Sequence, residues 1–305
     1  MSNQAFQTLK DLPTPLDQAQ CVLHKHELLI CGGYQKRACY SYHTLKNEYK
    51  FICEYPSDVE LWGHCVLKLI NDESTLLSFG GSKDMKRHTL VMKYVSVWSN
   101  DKSENKMNKS KESKKSKKCN EWVPFTDSHK DPIIIGRDND DYRGVRAVIG
   151  GNNNNLLFIT CFYNNISVFD LNTFQFIKHD TLPTNDSICY HCFTGLSIEY
   201  DEDNNTFQFH QIPVCDDIAP FNGYAYVCID NVILFFGGLN AGLPADDILK
   251  SMHKYSIREN KWTTFQNALP SPLSDCVAIL SEDSTYVHII GGWGNEVKST
   301  HTKTE

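Results

Sequence analysis

Cys189-Tyr190-His191-Cys192 is the first stretch whose side chains could do chemistry, because thiolates and imidazoles are zinc ligands. A structural zinc takes four ligands, usually from two paired motifs, and the chain has no second Cys-x-x-Cys and no His-x-x-x-His. His64 and His191 each precede a cysteine, Cys65 and Cys192, while Gln20 and Asp275 precede Cys21 and Cys276. That shared neighbour reads as a small buried residue recurring at equivalent strand starts, so no metal is expected. It also assigns His64, His191, Asp275 and Gln20 to one equivalent position. Lys114 to Lys118 (KKSKK) could serve nuclear import or an anionic surface, but a solvated insertion explains it as well. Asp201-Glu202-Asp203 fits ordinary turn chemistry. There is no G-x-S-x-G, P-loop or Rossmann fingerprint, and Gly291-Gly292-Trp293-Gly294 reads as a hairpin loop.

The elements that must position these residues repeat. Diglycines close apolar runs at Gly32-Gly33, Gly80-Gly81, Gly237-Gly238 and Gly291-Gly292, and a fifth run, LLFIT, ends at Thr160-Cys161 without glycines. Aromatic pairs seven positions apart follow at Tyr42 and Tyr49, Phe169 and Phe176, Tyr200 and Phe207, and Tyr255 and Trp262. Pro56, Pro183, Pro213 and Pro270 come shortly after each pair. Apolar runs cut by Gly, Pro, Asn and Asp predict short strands in a repeat architecture.

The pattern of diglycine, Tyr and a Trp seven positions on resembles the kelch motif, most closely over residues 222 to 270. The resemblance spans almost the whole chain, although other copies replace Trp by Tyr or Phe. It implies an all-β, six-bladed kelch-type β-propeller in a single domain, residues 1–305, each repeat being a blade of strands A to D. Blade four looks truncated, since Thr194-Gly195 leads straight into LSIEYD with no strand B between. Residues 1–13 are expected to supply the last blade's outer strand and close the ring. Residues 99–120 interrupt blade two, and positions 101–118 carry eight Lys against three acids, so a disordered insertion is expected.

The resemblance further implies a non-catalytic scaffold that binds a protein partner through loops on one face. That face is expected to carry Tyr34, Arg37, Arg87, Asn240 and Trp293, together with His64, His191, Asp275 and Gln20. The alternative is an enzyme similar to galactose oxidase or to iron-dependent propellers, with a metal at the channel mouth. The scaffold reading needs no cofactor.

A formal charge of −7 and a pI near 5.9 disfavour nucleic acid as a partner. No apolar run is long enough to span a membrane, and MSNQAFQTLK lacks the apolar region of a secretory signal. Twelve cysteines without secretion fit reduced thiols in the cytoplasm, with a nuclear location open through Lys114–Lys118. A monomer is expected.

Overall fold

The segments between diglycine and aromatic pair form antiparallel ladders in this computed structural model, which describes residues 6–70, 72–82, 84–99, 119–184, 195–218, 221–240, 248–266 and 268–305. Sheet one comprises β2 (Gln20–His24), β3 (Glu27–Gly33), β4 (Lys36–His43) and β5 (Glu48–Glu54). Sheet two comprises β6 (Cys65–Lys68), β7 (Thr75–Gly80), β8 (His88–Lys93) and β9 (Val123–Pro124). Sheet three comprises β10 (Arg146–Gly150), β11 (Leu156–Cys161), β12 (Asn165–Asp170) and β13 (Gln175–Thr181). Sheet four has, among the described residues, two strands, β14 (Leu196–Asp201) and β15 (Thr206–Gln211). Sheet five comprises β17 (Ala225–Ile229), β18 (Val232–Phe236), β20 (Met252–Ser256) and β21 (Lys261–Phe265). A short ladder of β16 (Phe221–Asn222) with β19 (Leu239–Asn240) lies beside it. Sheet six comprises β22 (Val277–Leu280), β23 (Val287–Ile290) and β24 (His301–Thr304), completed by β1 (Gln7–Thr8), so that Gln7 pairs with Lys303.

The chain is thus an all-β propeller with five four-stranded blades and, among the described residues, no α-helix. Among those residues no helix is long and apolar enough to cross a membrane.

The core lies between the sheets. One cluster joins Leu29, Cys39 and Tyr55 of sheet one to Leu76, Met92 and Trp122 of sheet two, and another joins Leu77 and Phe79 to Leu157 and Phe169. Sheets five and six share Phe236, Leu273 and Ile289, and the seam between sheets six and one is filled by Leu12, Leu16, Tyr42 and Ile290. A sheet with apolar side chains on both faces is buried only by flanking neighbours.

The diglycines make that stacking possible. A Cβ on Gly32 would lie 2.4 Å from Leu61 Cδ1, one on Gly237 1.9 Å from the Leu273 carbonyl oxygen, and one on Gly291 2.3 Å from the Leu16 carbonyl oxygen. In each case the intruding atom belongs to the segment entering the next blade, and the contact from the last blade to Leu16 repeats the internal ones.

The aromatic pairs are cross-strand partners. Tyr42 faces Tyr49, Phe169 faces Phe176, Tyr200 faces Phe207 and Tyr255 faces Trp262, with ring centroids 4.9 to 5.1 Å apart. Trp122 instead stacks on Tyr55 at 4.7 Å.

Of the insertion expected over 99–120, residues 99, 119 and 120 are among the described residues. Asn120 is ordered: its side chain bonds both the N–H and the C=O of Val95, and its N–H donates to Lys93. Trp98 is buried and donates to Ser41 Oγ at 2.9 Å. Residues 100–118, including Lys114–Lys118, lie outside the described residues, as do 185–194 with Cys189, His191 and Cys192.

Candidate functional site: the loop face and channel mouth

Strand starts and β3–β4-type hairpins converge on one end of the ring, because each inner strand begins where its neighbour ends. The register there differs from the shared cysteine position. Opposite the last residue before each glycine pair stand Gln20 (facing Cys31), Cys65 (Phe79), Ala225 (Phe236) and Val277 (Ile290), with Arg146 facing Thr160 in the glycine-free copy. Cys21, Cys65 and Cys276 therefore occupy three successive registers. A slip of one residue turns a side chain to the other face of its strand.

His64 is displaced by this correction. It is fully buried, its Nε2 lies 3.0 Å from the Cys31 carbonyl oxygen, and Tyr55 and His88 flank it. Burial pushes its pKa down to about 3, so it is neutral and packed inside and not displayed on the loop surface as expected. Asp275 belongs one register earlier, with Gln18, Gly63, Gly144 and Gly223. All five have positive φ, from 51° to 69°, a conformation glycine adopts freely and Asp tolerates.

Gln20 and Asp275 do come together with Gln18, Arg146 and Tyr226 around a channel cavity of about 350 Å³. Burial in the channel wall, reinforced by the nearby Asp17 charge and opposed by Arg146, pushes the Asp275 carboxyl up to about 7. Asp17 is likewise raised, chiefly by burial. A carboxyl that exchanges its proton near neutrality beside a guanidinium could bind a small polar molecule. Among the described residues, no three His, Cys, Asp or Glu side chains are grouped to hold a metal ion.

Tyr34 and Arg37 lie further out. They share a hollow of about 450 Å³ with Trp62 and Met85. Tyr34 meets Trp62 edge-on at 5.4 Å, and the Arg143 guanidinium lies 5.5 Å from the Trp62 ring and 5.9 Å from Phe162. Both Asp141 oxygens hold Arg143 Nε, at 2.9 and 3.0 Å. Burial works against the Asp141 charge, but the Arg143 hydrogen bonds outweigh it and leave the pKa below the usual value. Tyr163, on the neighbouring hairpin, is 62 % exposed and has φ +63°, a conformation unusual for a bulky residue.

Trp62, Arg143, Phe162 and Tyr163 are not evident from motif spacing. The one signal was position, since Tyr163 follows a strand where other copies carry a diglycine.

Arg37 donates to the Tyr55 carbonyl and pairs with Glu54, while Arg87 donates to the carbonyls of Asp138 and Asp140 at 2.8 and 2.9 Å, tying two loops together. Asn240 lies on β19, paired with Phe221. Trp293 exchanges backbone hydrogen bonds with Ser274 and leaves its side chain 38 % exposed.

No family model and no curated relative matches the chain. Among solved structures it is similar to the one described as "Structure of YjhT", with a TM-score of 0.64, 14 % identity, and coverage of 96 % of this chain and 95 % of that one. That likeness carries the β-propeller fold and nothing about activity.

Proposed function

We propose that this chain is a kelch-type propeller with six ring positions, the fourth reduced to two strands, and that it is a non-catalytic scaffold holding a protein partner on its loop face. The kelch assignment is supported by diglycines that meet the incoming segment of the next blade and by aromatic pairs directly opposed on neighbouring strands.

The observation that carries the binding reading is the Tyr34–Trp62–Arg143–Phe162 array, contributed by three successive sheets. Trp, Tyr and Arg dominate the energy of protein interfaces, and loops on a rigid ring are suited to present them. Tyr163 and Trp293 extend the aromatic surface around the rim.

A copper or iron centre at the channel mouth, as the alternative reading requires, needs a convergent donor set. Around the channel, the described ionisable side chains are Asp275, Arg146, Tyr224 and Tyr226 with the thiols of Cys21, Cys65, Cys228 and Cys276, and no three described His, Cys, Asp or Glu side chains group there. Near-stoichiometric copper or iron in purified protein would favour the enzyme instead.

The test compares tagged wild-type protein with a Trp62→Ala/Tyr163→Ala/Trp293→Ala variant in quantitative affinity capture. A defined set of proteins retained by the wild type should fall at least tenfold on the variant, with the melting temperature of the two within a few degrees. Equal retention by both would overturn the loop face as the binding surface.

A further inference from the structure

Among the described residues, sheet four is unlike the other blades in leaving its inner edge without a strand. Among the described residues β14 pairs with β15 alone. The N–H of Ile212 donates to the C=O of Gly195, which sets the alternation of the ladder. With Leu196 opposite Gln211, the residues bonded to β15 are Ser197, Glu199 and Asp201. The N–H and C=O groups of Leu196, Ile198 and Tyr200 therefore point to the open edge.

That edge borders a groove of about 490 Å³ between sheet three and β17. Its walls include Val148, Phe158, Ile198, Tyr200, Glu202 and Tyr226. Three of these are large side chains left partly exposed side by side: Val148 is 60 %, Ile198 36 % and Tyr226 43 % exposed. Phe158 meets Tyr200 edge-on at 5.4 Å, and Glu202 accepts the Asn152 N–H at 2.7 Å, so the floor and one end are formed.

Charge indicates what suits the groove. Residues 179–249 contain eleven Asp and Glu and no Lys or Arg. Edge-to-edge pairing of two copies would bring Glu199, Asp201 and Glu202 of each against those of the other. The basic insertion of this chain has almost no apolar residue to fill the groove.

We propose that the β14 edge is a strand-addition site for a partner protein. It takes an extended apolar segment flanked by Lys or Arg, bonded to the Leu196, Ile198 and Tyr200 backbone and buried between sheets three and five. Main-chain bonds supply affinity in such a mode, and the walls select the side chains. The site is separate from the loop face.

The probe is a fluorescein-labelled peptide carrying residues 156–160 of this chain, LLFIT, between lysine pairs, titrated against the full protein by fluorescence anisotropy. Saturable binding is expected. It should weaken at least tenfold when glutamates replace the lysines. Ile198→Pro should have the same effect, because it removes an outward N–H that β15 does not use. If that variant loses its circular dichroism transition, Glu199→Lys/Asp203→Lys takes its place and must also weaken the lysine-flanked peptide.

Absence of saturable binding, or equal binding to wild type and variants, overturns the proposal. So does protection of the Ile198 and Tyr200 amides from hydrogen exchange in the free protein, which would mean the chain covers its own edge. Self-association in sedimentation that Ile198→Pro abolishes would assign the edge to a second copy and likewise overturn it.

Discussion

The hydroxyl of Tyr49 and Nδ1 of His301 stand 2.6 Å apart, although 252 positions separate them. His301 Nε2 is in turn 2.9 Å from Nδ1 of His288, and the Tyr42 ring packs on His301 at 4.4 Å. This buried relay crosses the seam between the first blade and the last. With both imidazoles neutral, Tyr49 can donate to His301 and His301 to His288. A second proton on His301 would place a buried positive charge there and force Tyr49 to accept where it had donated.

Acid should therefore loosen the ring. Burial lowers the pKa of His288 to about 4, and burial with the neighbouring His288 holds that of His301 well below its usual value. A group lowered in the folded state takes up protons preferentially when unfolded, so stability is full above the unfolded value of about 6.5 and falls as pH drops toward 4. We expect a loss of about 2 kcal/mol for each of the two imidazoles between pH 7.5 and 5 in urea titrations, and a flatter dependence for His288→Gln. An unchanged urea midpoint across that range would refute the relay's role.

Asp275 should act with the opposite sign. Its folded pKa of about 7 lies above the ordinary carboxylate value, so its contribution is favourable below about 4 and is lost as pH rises through 7. Asp275→Asn keeps a residue tolerant of positive φ and removes the charge. Thermal unfolding at pH 7.5 should show this variant more stable, by up to about 4 kcal/mol, with the gap narrowing as pH falls toward 4.

Removing residues 1–13 should be costly. It deletes β1, the buried Leu12, and hydrogen bonds from Leu9 to His301 and from Leu12 to Ser299, each 2.8 Å long. Leu12→Ala alone should cost about 3 kcal/mol, and the truncation more. Calorimetry decides the matter: a truncated protein that melts with the wild type would mean β1 adds nothing to closure.

Trp98→Ala should destabilise by about 3 kcal/mol. Trp98 packs beneath Lys46 and Lys50, whose amines lie 5.0 and 4.4 Å from its ring, and donates to Ser41. A drop below 1 kcal/mol in chemical denaturation would show that the root of the insertion is not fastened to the first blade.

Asn260→Ala should cost about 1 kcal/mol. Tyr255 donates to Asn260 Oδ1 at 2.6 Å, and the same bond recurs from Tyr42 to Asn47 and from Tyr200 to Asn205. The three asparagines share φ +52°. Asn260→Gly, which keeps the backbone free but loses the bond, should be destabilised less than Asn260→Ala in the same assay.

What the sequence determined by itself was local and periodic. Tyr255 faces Trp262 because a short turn fixes which residues oppose each other, and Gly237 precedes the next blade because no Cβ fits beside Leu273. The Tyr–Asn bonds span only five positions, but it took the structure to reveal them. Register across strands was not. His64 and Asp275 each precede a cysteine, yet one is sealed under Tyr55 and the other lines the channel, because one residue of slip reverses a strand's faces. The Trp62 array, the Tyr49–His301–His288 relay and the open edge of β14 each depend on which blade becomes whose neighbour. That choice is made by interfaces between segments far apart in the chain, where no local spacing records it, so only the closed ring decides them.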